Sequence, residues 1–160
     1  MNVQLTQKEK MLLQDQKSNE ELCVKKYTES SNKANDPQLK QLFTDLASQE
    51  QQHLNTINEM LSGQVPTMNQ AQQGQQAQPS SNMQPNMQSS VQGNYDQKDA
   101  TLCNDLLMSE KYVSSAYNTS IFEFTNAGMR QALNHIQKEE QEHGEKLFNY
   151  MNSHGMYNPQ

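Results

Sequence analysis

Two Glu-x-x-His sequences contain the residues of this chain best suited to binding a metal ion. Glu50 precedes His53 by three positions, and Glu140 precedes His143 by the same number. On an α-helix this spacing places both side chains on one face, about one turn apart. A carboxylate and an imidazole so placed can coordinate one divalent cation. One such pair on a charged helix is usually a surface feature, so its interpretation depends on its surroundings.

The two Glu-x-x-His sequences belong to an internal repeat with an offset of 90 residues. The matched pairs include Leu12 and Leu102, Asp15 and Asp105, Glu20 and Glu110, Tyr27 and Tyr117, Gln41 and Gln131, Glu50 and Glu140, and His53 and His143. Helix-start signals share this offset, since Thr6 aligns with Asp96, and Asp36 with Asn126. A common offset for caps and polar residues predicts that the chain is two related helical hairpins.

Four glutamates interrupt the apolar stripes of the predicted helices. Glu140 follows Ile136 by four residues and precedes Leu147 by seven, so it lies in the middle of its stripe. Glu20, Glu50 and Glu110 occupy comparable positions. Other acidic residues point toward polar neighbours and are expected to be solvated; these are Glu21, Glu139 and Glu142. His135 and His154 have no partner in the repeat and are expected at the surface.

The composition changes between the two predicted hairpins. No charged residue occurs between Glu59 and Asp96, where Gln, Asn, Ser, Pro, Gly and Met dominate. Such a segment buries too little apolar area to offset the entropy of ordering, so residues 62–94 are predicted to form a flexible linker. Hairpin 1 (helices 1 and 2) is predicted at 5–61 and hairpin 2 (helices 3 and 4) at 95–154, together forming one domain. A long crossover of this kind predicts an all-α, ferritin-like four-helix bundle.

Four carboxylates and two imidazoles are therefore predicted to face one core. Buried, unpaired carboxylates are costly and repel one another, and two divalent cations would compensate them. A Glu from each of two helices plus Glu-x-x-His from the other two is the ligand set of di-iron and di-manganese bundles. The predicted metal ligands are Glu20, Glu50, His53, Glu110, Glu140 and His143. The expected cofactors are two Fe or Mn ions; the alternative is that protons and hydrogen bonds replace the metal.

Charge and cysteine content exclude several other functions. The net charge is −6 and the chain lacks a Lys/Arg cluster, which argues against nucleic acid as a partner. It also lacks an apolar run long enough for membrane insertion and a signal-peptide core, so synthesis in a cytoplasm is expected. Cys23 and Cys103 are too few for a disulfide scaffold or a zinc ribbon.

The second half of the chain resembles the spore coat protein F (CotF) family. The likeness rests on residues 106–112 (LLMSEKY), 139–143 (EEQEH), 147–151 (LFNYM) and 155–159 (GMYNP), and it covers roughly 96–160. The resemblance implies a ferritin-like bundle that the mother cell makes in its cytoplasm and deposits in the spore coat. Its implied partners are other spore coat proteins and further copies of itself, and its implied role is structural rather than enzymatic.

The ligand set resembles, separately, that of rubrerythrins, ferritins and manganese catalases. Carried over by position, the resemblance assigns metal binding to the same six residues, while the absence of C-x-x-C pairs disfavours an ordinary rubrerythrin. The predicted function is a spore coat component that keeps a full dinuclear-metal ligand set. The alternative is a di-iron or di-manganese oxidoreductase that consumes peroxide.

Overall fold

The protein is an all-α four-helix bundle made of two helical hairpins, as predicted. A computed structural model describes residues 2–67 and 95–157. Its helices are α1 (Gln7–Lys33), α2 (Pro37–Leu61), α3 (Gln97–Glu123) and α4 (Ala127–Ser153). Most of the predicted linker, residues 68–94, lies outside the described residues. At the start of that linker Gln64 forms an isolated bridge with Asn2.

Each helix begins at the cap that the sequence predicts. Thr6 and Glu9 form a complete capping box at α1. Asp36, Asp96 and Asn126 accept hydrogen bonds from the first free amides of the other three helices. After α2, Gly63 has a φ of +83°, and a Cβ there would lie 2.7 Å from the Val3 carbonyl oxygen. Both the dihedral angle and the close backbone contact therefore require glycine at the predicted stop.

Hydrogen bonds between the hairpins fix the directions of the helices. Gln16, early in α1, donates to Ser120, late in α3, whereas Lys26 donates to Ser109. Thus α1 and α3 are antiparallel, and the same holds for α2 and α4, which are joined through His53 and Glu140. It follows that α2 and α3 are parallel, so the chain must travel about 38 Å along the bundle to connect them. This agrees with a long crossover connection.

The apolar core has two parts, one on each side of a central polar layer. One part contains Leu13, Ile57, Met60, Val113, Met129, Leu133 and Ile136. The other contains Leu39, Phe43, Leu46, Cys103, Leu106, Leu147 and Met151. Each helix passes from one part to the other near its central glutamate. Cys23 and Cys103 are buried and free, so they form no disulfide.

Each hairpin uses a carboxylate on its first helix to hold the turn of the other hairpin. Glu9 accepts from the amide of Thr125 at 2.9 Å and from its hydroxyl at 3.1 Å. Asp99 accepts from the amides of Asn35 and Asp36 at 2.8 and 2.9 Å. Glu9 and Asp99 are 90 residues apart, as are Asn35 and Thr125, so the internal repeat includes these contacts between hairpins.

Candidate metal centre

The six predicted ligands meet in the central polar layer of the bundle. They are Glu20 on α1, Glu50 and His53 on α2, Glu110 on α3, and Glu140 and His143 on α4. Every one of these residues is at most 2% exposed. The repeat places one Glu on each helix at similar depth, so burial of the apolar stripes brings all four carboxylates together.

Their ligand atoms form two overlapping groups. Glu20 and His53 belong to one group, Glu110 and His143 belong to the other, and Glu50 and Glu140 belong to both. Within each group, one ligand atom from each residue lies within 4.8 Å of the others. Two shared carboxylates flanked by two Glu/His pairs is the arrangement that two cations with bridging carboxylates require.

Among the described residues, one carboxylate oxygen of each central glutamate, taken in its ionised form, is buried without a hydrogen-bond donor. These atoms are Oε2 of Glu20, Glu50, Glu110 and Glu140. A buried carboxylate oxygen without a partner carries a large desolvation cost, so native structures rarely leave one unsatisfied. Divalent iron or manganese accepts carboxylate and imidazole ligands, and a cation in each group could satisfy these oxygens. The residues present therefore fit a pair of metal ions.

Both imidazoles direct Nδ1 toward the carboxylates. His53 Nδ1 lies 3.0 Å from Glu140 Oε1 and 3.3 Å from Glu50 Oε2. His143 Nδ1 lies 3.0 Å from Glu50 Oε1 and 3.6 Å from Glu140 Oε2. Each histidine therefore contacts the shared carboxylate of the opposite helix as well as that of its own helix. Nδ1 is therefore the atom that each imidazole would offer to a metal ion.

Two residues outside the predicted set hold the other nitrogen of each imidazole. His53 Nε2 lies 2.9 Å from Glu139 Oε2, and His143 Nε2 lies 2.8 Å from Gln49 Oε1. Both partners are acceptors, so each Nε2 carries a proton, and Nδ1 is the nitrogen that could coordinate a metal ion once it has lost its own proton. The prediction that Glu139 is solvated was wrong, because its side chain crosses from α4 to α2 and is only 32% exposed.

A signal for these two partners was present in the repeat. Gln49 and Glu139 are 90 residues apart, and each directly precedes the Glu of its Glu-x-x-His sequence. Glu21 and Glu142 are exposed, as predicted. His135 has a side chain that is 43% exposed. His154 is partly exposed and stacks on Tyr150, outside the cluster.

Two tyrosines hold the outer glutamates from the neighbouring helix. The Tyr27 hydroxyl donates to Glu110, and the Tyr117 hydroxyl donates to Glu20. Both rings are part of the core, as the sequence predicts. Their hydroxyls also fix the carboxylates across the interface between α1 and α3, a role that the sequence analysis did not assign.

Electrostatics divide the four glutamates into two pairs. Burial raises the pKa of Glu20 to about 8, and the carboxylates of Glu140 and Glu50 act in the same direction. Burial, together with Glu140, also holds the pKa of Glu110 well above its usual value. For Glu50 and Glu140 burial alone would raise the pKa, but hydrogen bonds with His143 and His53 outweigh it and lower the pKa of both.

The pKa values of both imidazoles are shifted so that the charged form is favoured. Burial alone would lower the pKa of each histidine, but the surrounding carboxylates outweigh it and raise the pKa of both. The principal partners are Glu139 and Glu140 for His53, and Glu140 and Glu50 for His143. Without metal, these shifts favour protons on Glu20, Glu110 and both histidines. Four protons carry the same positive charge as two divalent cations.

Comparison with known proteins places the second hairpin in a family. Residues 98–160 match the Coat F domain. The match lies wholly within the second half of the chain. This confirms the resemblance predicted from the sequence and indicates the spore coat as the location. The matched region contains Glu110, Glu140 and His143, whereas Glu20, Glu50 and His53 lie in the first hairpin, outside it.

A Bacillus relative shows a similarity of limited extent. The chain is 33% identical over 72 residues to the uncharacterized protein YusN of Bacillus subtilis (strain 168), which covers 45% of this chain and 66% of that protein. No solved structure matches the chain. Among the described helices, none is both long and apolar enough to cross a membrane.

Proposed function

We propose that this chain is a spore coat component whose ferritin-like bundle binds two divalent iron or manganese ions. The Coat F domain supports the coat assignment. The observation that supports the metal site is the set of four buried Oε2 atoms without partners, in a cluster that also presents two imidazole Nδ1 atoms. Such a cluster suits divalent cations better than it suits any uncharged occupant.

In this proposal each residue has a defined role. Glu50 and Glu140 are shared between the two ions, Glu20 and His53 complete one site, and Glu110 and His143 complete the other. Gln49 and Glu139 fix the imidazoles, and the two tyrosines fix the outer carboxylates. When bound, the ions would supply Lewis acidity and, if redox-active, one-electron chemistry. They would also connect all four helices, which suits a durable coat component.

Exposed apolar side chains on α1 and α3 support the proposed contacts with other coat proteins or with further copies of the chain. Met108 is 70% exposed and Tyr112 is 68% exposed. Together with Leu22 they line one groove between α1 and α3. A single exposed apolar residue is normal, but several around one groove form a surface on which a partner gains by burial.

Elemental analysis of the untagged protein tests the metal proposal. We expect about two equivalents of iron or manganese per chain, as in the di-iron and di-manganese carboxylate bundles. The double variant Glu50→Gln/Glu140→Gln removes both shared carboxylates and should lose the metal. Glu142→Gln, an exposed change on α4, serves as the matched control and should keep it. Protein that is folded by circular dichroism and takes up no iron or manganese would contradict the proposal.

Fractionation of spores tests the coat assignment separately. The chain should be released with the coat fraction from spores of its source organism. Recovery in the soluble core fraction would contradict the assignment. The peroxide-consuming alternative stays a prediction, and a peroxide assay of the metal-loaded protein tests it.

A further inference from the structure

We propose that a groove between α3 and α4 admits an organic ligand to the metal pair. The ligand would have an oxygen donor at one end and an apolar body of about one ring. This inference rests on the proposed metal site. Beyond that site, the inference names the class of ligand and the side of the bundle from which the ligand approaches.

The groove ends at two of the proposed metal ligands. It has a volume of about 590 Å³, and both Glu110 and Glu140 line it. These glutamates are 2% and 0% exposed, so they form the floor. Each also carries one of the Oε2 atoms that lack a hydrogen-bond partner. A molecule in the groove would therefore lie against two of the residues that would hold the metal, with their Oε2 atoms buried just behind the groove surface.

The walls of the groove favour an apolar body. Leu107, Phe148 and Tyr157 line it. Phe148 and Tyr157 make an edge-to-face contact, with ring centroids 5.1 Å apart and planes at 80°. Aromatic and aliphatic walls with a few convergent polar groups are typical of sites that bind small organic molecules. Lys111 and Glu145, both exposed on the same groove, have opposite charges, and Lys111 supplies the positive group that an anionic donor could contact.

Comparison of the two hairpins shows how the groove is opened. Ser114 and Gly144 line it, and their counterparts 90 residues earlier are Val24 and Leu54. All four positions are partly buried, so they face the same part of their hairpins. The first hairpin therefore fills with two apolar side chains the positions that the second hairpin leaves small. The asymmetry falls beside Glu110 and Glu140, which the repeat matches with Glu20 and Glu50.

Neither backbone strain nor packing explains glycine at position 144. Gly144 lies within α4 and is not among the positive-φ glycines, and a Cβ added there would lie 3.7 Å from Leu107 Cδ1, an ordinary contact. Glycine inside a helix costs roughly 0.5–1 kcal/mol relative to alanine. Gly144 instead leaves open space in the groove above Glu140.

Binding of benzoate to the manganese-loaded protein tests the inference. Mn(II) broadens the proton signals of a ligand held close to it, so NMR line widths report binding near the metal without any assay of activity. Acetate is the matched probe that lacks the ring. We expect benzoate to bind the unaltered protein at least tenfold more tightly than acetate. The double variant Ser114→Val/Gly144→Leu copies the first hairpin and should weaken benzoate binding at least tenfold with unchanged manganese content.

Two further variants complete the experiment. Gly144→Ala adds only the Cβ and should weaken benzoate binding less, which guards against a folding defect in the larger change. Asn149→Leu adds the same side chain at an exposed position on α4 that does not line the groove, and it should bind benzoate normally. Equal benzoate binding by the filled and unaltered proteins, or no advantage of benzoate over acetate, would overturn the inference. Absence of manganese from the unaltered protein would instead contradict the proposed function.

Discussion

The imidazole rings of His53 and His143 stack between α2 and α4, with centroids 5.4 Å apart and planes 14° apart. The surrounding carboxylates raise the pKa of both rings, so two positive charges lie face to face in the metal-free protein. Like charges at this distance repel, and the ionised Glu50 and Glu140 compensate them. The metal-free cluster is thus balanced by protons, which two divalent cations would replace with equal charge.

Metal binding at neutral pH is expected to release protons, about four per chain when both ions bind. Glu20, Glu110 and the Nδ1 atoms of both histidines must lose protons before they can coordinate. Apparent affinity should therefore rise as the pH approaches about 8, the pKa of Glu20 in the metal-free cluster. Titration of metal-free protein with Mn(II) in weak buffer containing a pH indicator measures the release. Binding without acidification would show that the cluster is not the site.

The metal-free protein is expected to lose stability as the pH rises from about 5 to 8. Glu20 has a pKa of 4.5 as its ordinary value and about 8 in the fold, so the folded state holds a proton there that the unfolded chain lacks. The raised pKa values of Glu110 and both histidines act with the same sign. Urea unfolding with a chelator should show this decline. With Mn(II) present the decline should largely disappear, and identical curves with and without metal would contradict the account.

Replacement of Glu139 by alanine is expected to lower the affinity for one of the two ions about 10- to 100-fold. Glu139 accepts from His53 Nε2 and would so keep the ring oriented with Nδ1 toward the metal. Glu139→Gln retains an acceptor and should restore most of the affinity. Gln49→Ala is the counterpart in the repeat and should act on the other ion through His143. Isothermal titration with Mn(II) resolves the two sites, and an unchanged isotherm for Glu139→Ala would exclude this positioning role.

Glu9 is expected to stabilise the bundle at neutral pH through its contact with the turn between α3 and α4. Burial alone would raise its pKa, but the amides of Thr125 and Thr6 outweigh burial and hold it below 4.5. Glu9→Gln should lower the free energy of unfolding by about 1.5–3 kcal/mol, the usual value for hydrogen bonds to a charged group. The pKa of Glu9 is lowered in the folded protein. The loss of stability caused by Glu9→Gln should therefore be largest above pH 4.5 and should shrink as the pH falls through the pKa of Glu9 in the folded protein.

The exposed change Glu21→Gln on α1 is the control for Glu9→Gln and should be nearly neutral. Asp99→Asn leaves one acceptor oxygen where two now accept from the amides of Asn35 and Asp36, and it should destabilise comparably. Chemical denaturation at pH 7 and at lower pH measures both variants. If Glu9→Gln matched Glu21→Gln at every pH, the contact with the turn would have no part in stability.

The caps and the central cluster of glutamates and histidines could be predicted from the sequence because both depend on short spacing and on the repeat. Thr6, Asp36, Asp96 and Asn126 cap through local geometry, and Glu20 and Glu140 are identified by their place in an apolar stripe. Partners that reach across helices were harder to predict. Glu139 lies beside the stripe of its own helix, and only the position of α2 brings His53 within 2.9 Å of it.

The groove also could not be predicted from the spacing of apolar residues along the helices. Gly144 and Ser114 interrupt no apolar period, and their effect appears only when α3 and α4 are packed and the space above Glu140 can be seen. The repeat contained the relevant signal, since Val24 and Leu54 are larger at the matched positions. Loss of side-chain volume beside a predicted ligand identifies an opening only after the helices that border it are known.

The central claim is that the six-residue cluster binds two metal ions, and anomalous diffraction from crystals grown with Mn(II) tests it most directly. The account predicts two anomalous peaks per chain inside the bundle, both next to Glu50 and Glu140, with one near His53 Nδ1 and the other near His143 Nδ1. Crystals of Glu50→Gln/Glu140→Gln protein should lack both peaks. A well-ordered bundle with no peak among these residues, or with manganese only at surface carboxylates, would contradict the account.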